Sequence, residues 1–472
     1  MRARYITTTL PYVNADPHLG HALEFVEADC FARTTRLVGD EVFFNIGTDE
    51  HGAKVAQKAE QEGKSPQAYA DEYAARFKVF ADKLAISYDS FIRTTDSEHI
   101  ATAQAFWKRC EAAGDIYKAV YKTKYCVGCE LEKTDSELVN GCCPLHPTLP
   151  IETREEENYY FRFSKYQDAL LKQYEDQKDF VVPAERMHEL KTFIAGGLKD
   201  FSISRRREKL AWGVPVFGDE EQVMYVWFDA LVNYVSAIGW PDDAKRFEKW
   251  WPVTQFAGKD NLRQQAAMWQ AMLLSAGLPF SRQIFIHGFI TSGGQKMSKS
   301  LGNVIDPLVL IEKYGSDAVR YVLLRHTSPF EDSDLTLEAF HDHYTAHLAN
   351  GLGNLVARIM KLAEQYLPEP ITPSGTAQFP RECNDTIEAF QFNAAMDFVW
   401  DGIQALDERI AREEPFKIVK KDQAHGREVI KDIVRTLNEI GYNLTPFMPE
   451  TSQKILGAIA INKKPENLFP RL

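Results

Sequence analysis

Apolar runs of strand length alternate with helical stretches in two separated parts of this chain, and each run stops at a polar cluster. In the first 116 residues the runs are 5–9, 41–46 and 90–94; after residue 215 they are 224–228, 255–257 and 284–286. Such alternation predicts a doubly wound parallel α/β sheet, buried on both faces. The polar clusters are His18 and His21, then Thr48-Asp49-Glu50-His51-Gly52, Thr95-Asp96, Asp229-Ala230, Gly258-Lys259-Asp260 and His287-Gly288. In open α/β sheets ligands bind beyond the carboxyl ends of the strands, so these clusters are expected to face one crevice.

The first cluster opens a helix. Asp16 suits its N-cap, Pro17 its first position and Gly39 its close. A helix N-terminus carries unpaired N–H groups and positive dipole, which suit a phosphate chain. In His18-Leu19-Gly20-His21 the two histidines stand three residues apart and aim ring donors at the same phosphates, while Gly20 leaves room for a flat base. Far along the chain, Lys296-Met297-Ser298-Lys299-Ser300 follows Gly293-Gly294-Gln295. Its two ammonium groups suit closure over a departing pyrophosphate. Together the segments describe a site that handles ATP from two sides.

Residues 117–215 differ in composition and are expected as an insertion. Four of the seven cysteines lie between 126 and 143. Cys126-Val-Gly-Cys129 and Cys143-Pro-Leu-His146 give C-x2-C-x13-C-x2-H, two turns that deliver four tetrahedral ligands to a structural zinc ion. Cys142 competes for the third place, but the spacing to His146 favours Cys143. Clustering in a chain of 472 residues speaks for metal over a secreted disulfide framework.

Apolar residues recur at helical spacing from about 336 onward, which predicts a helix bundle. No run of about 18 apolar residues appears, so no membrane span is expected. The N-terminus passes directly into the first strand without a signal peptide, and a cytoplasmic location is expected. A net charge of −12 argues against a protein that coats nucleic acid nonspecifically, yet permits local basic patches that dock one RNA.

Joint occurrence of the two phosphate-handling segments resembles the signatures of class I aminoacyl-tRNA synthetases. With Leu10-Pro11-Tyr12-Val13-Asn14, Gly47-Thr48-Asp49-Glu50-His51-Gly52, the cysteine turns, Tyr225-Val-Trp227-Phe-Asp-Ala230, Gly258-Lys-Asp260 and His287-Gly-Phe, the chain resembles the methionyl-tRNA synthetases. The resemblance implies a Rossmann-type catalytic domain in two halves, 1–116 and 216–295. Between them lies a zinc-binding insertion at 117–215; a lysine-loop and stem-contact region at 296–335 and an all-α anticodon-binding domain at 336–472 follow. It implies adenylation of L-methionine by ATP, with Mg2+ brought by the nucleotide, and transfer to the 3′ end of tRNA(Met).

By matching motif positions, the resemblance implies that Asn14, His18, Gly20, His21, Asp260, His287, Lys296 and Lys299 bind ATP, with His18, His21, Lys296 and Lys299 catalytic. It gives Leu10, Tyr12, Asp49, Trp227, Ala230, Leu231 and Tyr234 to methionine, Asp49 holding the ammonium. Asn261 and Gln265 belong to the pocket floor, where the family commonly has isoleucine and histidine. Tyr12, Arg205, Asp260 and Trp269 match positions used in rejecting homocysteine, and Asn354, Arg358 and Phe416 in reading the anticodon. Because the chain ends directly after the bundle, a monomer is expected.

Overall fold

Six strands form the central sheet of the computed structural model, which describes residues 2–126, 131–133, 138, 141–144, 148–297, 305–371 and 378–472. They are β1 (Ala3–Thr8), β2 (Glu41–Thr48), β3 (Ser90–Arg93), β4 (Val181–Val182), β5 (Val253–Gly258) and β6 (Gln283–His287). Their order is β3-β2-β1-β5-β6-β4, and every neighbouring pair is parallel. The expected α/β class is therefore present. Strand order reverses between β1 and β5, where Tyr5 is paired with Val253. A doubly wound sheet opens its ligand crevice at that reversal.

Alternation along the strands divides the core between the two faces. Tyr5, Phe43, Val253, Ile284 and Ile286 join one core, with Phe106 and Trp107 of the helix Ser97–Ala112. Ile6, Phe44, Phe256 and Phe285 join the other, with the helix α1 (Leu19–Leu37). With both faces covered, the strands read as unbroken apolar runs.

Three local features depart from expectation. The helix after β1 begins two residues late: His18 is the N-cap, and Asp16 is paired with Arg76 instead. The run 224–228 is not a sheet strand. Asp219–Met224 is an antiparallel strand of a small separate sheet, and Val226–Leu231 turns into a helix. The helical signal is present as Phe228, Leu231, Val232 and Val235, spaced i, i+3, i+4, i+7 and all buried, but aromatic and β-branched residues obscure it. Finally, β4 comes from within the stretch 117–215 and pairs with β6.

The rest of that stretch is built on a long antiparallel pair, Ile116–Cys126 with Ile151–Phe161, flanked by Leu131–Lys133 and Phe201–Ser202. Past the second half of the sheet, Ile290–Ser292 pairs with Gln295–Lys296 and with Ser333–Asp334. The C-terminal region is helical, as its periodicity predicts. Its helices include Asn354–Tyr366, Arg381–Glu388, Phe392–Glu413, Gln423–Asn443 and Pro449–Ala460.

These helices share the core of the α1 side of the sheet. Phe390 stacks on Phe285 of β6, with ring centroids 4.7 Å apart and planes 4° from parallel. Among the described residues, no helix is long and apolar enough to cross a membrane.

Candidate active site

At the strand-order reversal lies a cavity of about 630 Å³. Its wall is built from the segments after β1, β2, β5 and β6 and from the helix Val226–Leu231, so residues far apart in the chain meet there. Leu10, Tyr12, Asp49, Trp227, Ala230, Leu231, Tyr234, Asn261 and Gln265 all line it, as do His18, Gly20, His21, Asp260 and His287.

The two histidines form a reciprocal cap. The backbone N–H of His21 donates to His18 Nδ1 at 3.4 Å, and the N–H of His18 donates to His21 Nδ1 at 3.2 Å. The rings stack with centroids 3.7 Å apart. A neutral ring that accepts at Nδ1 carries its proton on Nε2, so the cap makes Nε2–H donors of both. Withdrawal from solvent, followed by the nearby His18 and His287, pushes the His21 pKa well down and favours that neutral form. Gly20 belongs to this arrangement, since a Cβ there would sit 3.1 Å from the His18 ring.

Asp49 lines the same cavity. Its backbone is held by Val13 and Pro11, with Val13 N–H donating to Asp49 O at 3.1 Å and Asp49 N–H to Pro11 O at 2.9 Å. The side chain is buried, and Oδ1 has no hydrogen-bond partner among the described residues. Burial, then Asp229 and Glu50, raise its pKa well above the usual carboxylate range. A desolvated carboxylate oxygen beside a cavity is a costly arrangement that a bound cation relieves. Gly52 holds this corner open: its φ is +107°, and a Cβ would lie 2.5 Å from the Tyr12 hydroxyl.

Behind Asp49 lies a network that sequence reasoning missed. His51 Nδ1 is 2.6 Å and His99 Nε2 2.9 Å from the two carboxylate oxygens of Asp229. Burial works against the Asp229 charge, but His51 and His99 outweigh it and hold its pKa down to about 2. Glu50 is likewise committed, to Arg93 at 2.7 and 2.8 Å. Asp49 is thus the uncompensated carboxylate of three neighbours.

Glu24 was also missed. It accepts from the backbone N–H and hydroxyl of Thr9, both at 2.6 Å, and lies 3.1 Å from His287 Nε2. Glu27 is buried a turn further on, with Oε2 unpartnered among the described residues, and burial pushes its pKa up to about 8. Both continue the i+3 row from His18 and His21, a signal available in the sequence: acids recurring three residues apart on the histidine face of the helix.

On the floor, Gln265 is buried and accepts from Gln255 Nε2 at 2.9 Å, while Gln270 Nε2 donates to its carbonyl at 2.9 Å. Asn261 Nδ2 lies 3.3 Å from Asp260 Oδ1. Asn14, Arg205 and Trp269 are not in the cavity wall. Arg205 lies over the Tyr225 ring at 4.3 Å, and buried Trp269 packs behind Tyr234 with centroids 5.7 Å apart.

Lys299 lies outside the described residues, as do Cys129 and His146, and Lys296 is described only as backbone in its short strand. Cys126 ends the strand Ile116–Cys126, and Cys143 is buried. Asn354 and Arg358 are exposed one turn apart on the helix Asn354–Tyr366, and Phe416 is exposed on Pro415–Lys421.

The family model for class I tRNA synthetases (M) matches residues 4–149 and 136–360. A methionine–tRNA ligase of Thermotoga maritima is 40% identical over 98% of this chain and 76% of its own length. One of Thermosynechococcus vestitus is 41% identical over 96% and 89%. The chain belongs to the methionyl-tRNA synthetases. Among solved structures, the Mycobacterium tuberculosis methionyl-tRNA synthetase in complex with methionyl-adenylate superposes with a TM-score of 0.87 at 35% identity, covering 100% of this chain and 99% of that one. The apo form of the same enzyme gives 0.80 at 31% identity, covering 100% and 97%. As a methionyl-tRNA synthetase, the chain is a ligase that joins methionine to tRNA(Met) at the expense of ATP.

Proposed function

We propose that the cavity activates L-methionine as methionyl-adenylate, with Asp49 taking the substrate ammonium and the His18–His21 pair taking the ATP phosphates. The observation that carries this reading is the buried Oδ1 of Asp49, unpartnered among the described residues, in one cavity with two Nε2–H donors at a helix N-terminus. The methionine carboxylate attacks the α-phosphorus and pyrophosphate leaves, so the enzyme supplies position and positive potential without a covalent nucleophile. Lys296 and Lys299 act on the departing pyrophosphate, Mg2+ enters with the nucleotide, and Asn14, Gly20, Asp260 and His287 complete the ATP side.

Leu10, Tyr12, Trp227, Ala230, Leu231 and Tyr234 enclose the thioether, which is favoured beside aromatic edges, over a floor that includes Asn261 and Gln265. Tyr12, Arg205, Asp260 and Trp269 serve the rejection of homocysteine, with Trp269 acting from behind Tyr234. The three thiolates and one imidazole of Cys126, Cys129, Cys143 and His146 suit a structural zinc ion, and burial of Cys143 supports a closed site. The helical region after 336 docks the tRNA, with Asn354, Arg358 and Phe416 meeting anticodon bases. The catalytic halves are 1–116 and 216–295, with the insertion at 117–215 and the lysine-loop and stem-contact region at 296–335.

ATP–pyrophosphate exchange against all twenty amino acids plus homocysteine tests the reading. Methionine-dependent exchange is expected. Exchange that depends on another amino acid would reassign the pocket.

A further inference from the structure

Away from the crevice, three histidines meet where the sheet's helices join the C-terminal ones. His326 is the C-cap of the helix Ser316–Arg325. His343 ends the helix Leu337–His343, and His347 lies in its continuation, Tyr344–Gly353. Four residues apart on one helical run, His343 and His347 project to the same side. One ring nitrogen from each of the three lies within 4.8 Å of the others, and all three residues are half-buried. We propose that these histidines form a binding site for one borderline transition-metal ion such as Zn2+, distinct from the cysteine turns, that clamps the end of Ser316–Arg325 to the run carrying His343 and His347.

The chemistry of the donors supports a metal of that class. Three imidazoles without a carboxylate favour zinc, nickel or copper over magnesium or calcium. A ligating imidazole ordinarily hydrogen-bonds through its other nitrogen, and the Tyr321 hydroxyl, which already accepts from Arg325, has room to accept from one such ring N–H. That hydroxyl lies 2.7 Å from His347 Nδ1 and 3.1 Å from His326 Nε2, and accepts from Arg325 Nη1 at 2.8 Å. Tyr321 is itself packed on Trp400, with centroids 4.4 Å apart, so the supporting group is fixed.

Arg325 is the one opposing charge among the described neighbours of the cluster, and Asp397 offsets it at 2.8 Å; Asp342 faces His343. The His326 and His343 rings stack face to face with centroids 3.6 Å apart. Loading would turn one of them edge-on, leaving the fourth position to water.

Zinc content per chain tests the site. The 472-residue protein and the variants His343→Ala and His347→Gln are dialysed against zinc, freed of loosely held ion, and assayed for bound metal. Each variant is expected to hold one equivalent fewer than wild type, and added zinc to raise the wild-type thermal midpoint without raising theirs. Equal zinc content in all three proteins would overturn the proposal. Since the reading is a difference, it does not depend on what the cysteine turns hold. Equal midpoints before zinc is added show that the variants are folded, and His347→Gln keeps an amide beside Tyr321 should the alanine variant be unstable.

Discussion

Arg320 and Asp29 form a 2.7 Å ion pair in which neither side chain reaches solvent. Asp29 lies on α1, the helix whose first turn holds His18 and His21. Arg320 also donates to the carbonyls of Pro446 and Phe447, at 2.9 and 2.8 Å, which lead into the last helix. One guanidinium thus ties the helix that His18 caps to the C-terminal region. Asp29 keeps a lowered pKa because, although burial opposes its charge, Arg320 and Arg33 outweigh it.

Removing that guanidinium leaves a buried carboxylate and the carbonyls of Leu84, Pro446 and Phe447 short of a donor. Arg320→Met is expected to destabilise the protein by about 3–5 kcal/mol, the usual cost of breaking one side of a buried pair. Calorimetry checks it. A thermal midpoint within a degree of wild type would show that the pair is not a tie between the two regions.

The orphaned oxygen of Asp49 predicts a loss of substrate affinity. Asp49→Asn removes a charge-assisted hydrogen bond worth about 1.5–3 kcal/mol, so the methionine Kd should rise roughly 10- to 100-fold. Because burial raises the Asp49 pKa, wild-type affinity should also fall on acidification as the carboxyl is protonated. Titration calorimetry at several pH values reads both effects, and the variant should lose the pH dependence.

If His18 and His21 act on the phosphates, their loss should appear in rate more than in methionine binding. His21→Ala is expected to slow adenylate formation by about 10²–10³-fold, the effect of one lost transition-state donor, with methionine Kd little changed. Single-turnover kinetics separates the two. Equal losses in both would place His21 in ground-state binding instead.

The Glu24–His287–Glu27 group predicts falling stability as pH rises past neutrality. Burial opposes the His287 charge, but Glu24 and Glu27 raise its pKa to about 9, from an ordinary 6.5. That contribution is fully present below pH 6.5 and lost as pH climbs to about 9. Burial of Glu27 acts in the same direction: with its pKa raised to about 8 from 4.5, ionisation costs stability between those values. Thermal midpoints should therefore decline from pH 6.5 to 9, and His287→Gln should flatten the decline. A variant curve parallel to wild type would assign the decline elsewhere.

Much of this was legible in the chain itself. Short apolar runs between helical stretches announce a parallel sheet because a strand covered on both faces needs apolar side chains at every position. Polar clusters after β1, β2, β5 and β6 supply crevice residues, since the carboxyl ends of parallel strands all point one way, whereas Thr95-Asp96 does not reach the cavity wall: Thr95 binds Glu50 and Asp96 is the N-cap of the helix Ser97–Ala112. Helical spacing after 336 likewise declared itself. The run 224–228 misled because side chains that suit a strand also suit a short buried helix, and Asp16 misled because a better cap, the reciprocal pair of His18 and His21, lay two residues on.

Sequence by itself determined the alternation, the helix that opens at His18 and the residue types that line the cavity, because these depend on periodicity and local backbone chemistry. Tertiary structure alone decided which groups are compensated. That Glu50 is spent on Arg93, Asp229 on His51 and His99, and Glu24 on Thr9 and His287, while Asp49 keeps an oxygen unpartnered among the described residues, follows from contacts between residues up to 263 positions apart. Likewise, the meeting of His326 with His343 and His347 rests on how two helices pack. Such pairings leave no period in the chain, since burial and charge compensation arise only when distant elements are brought together.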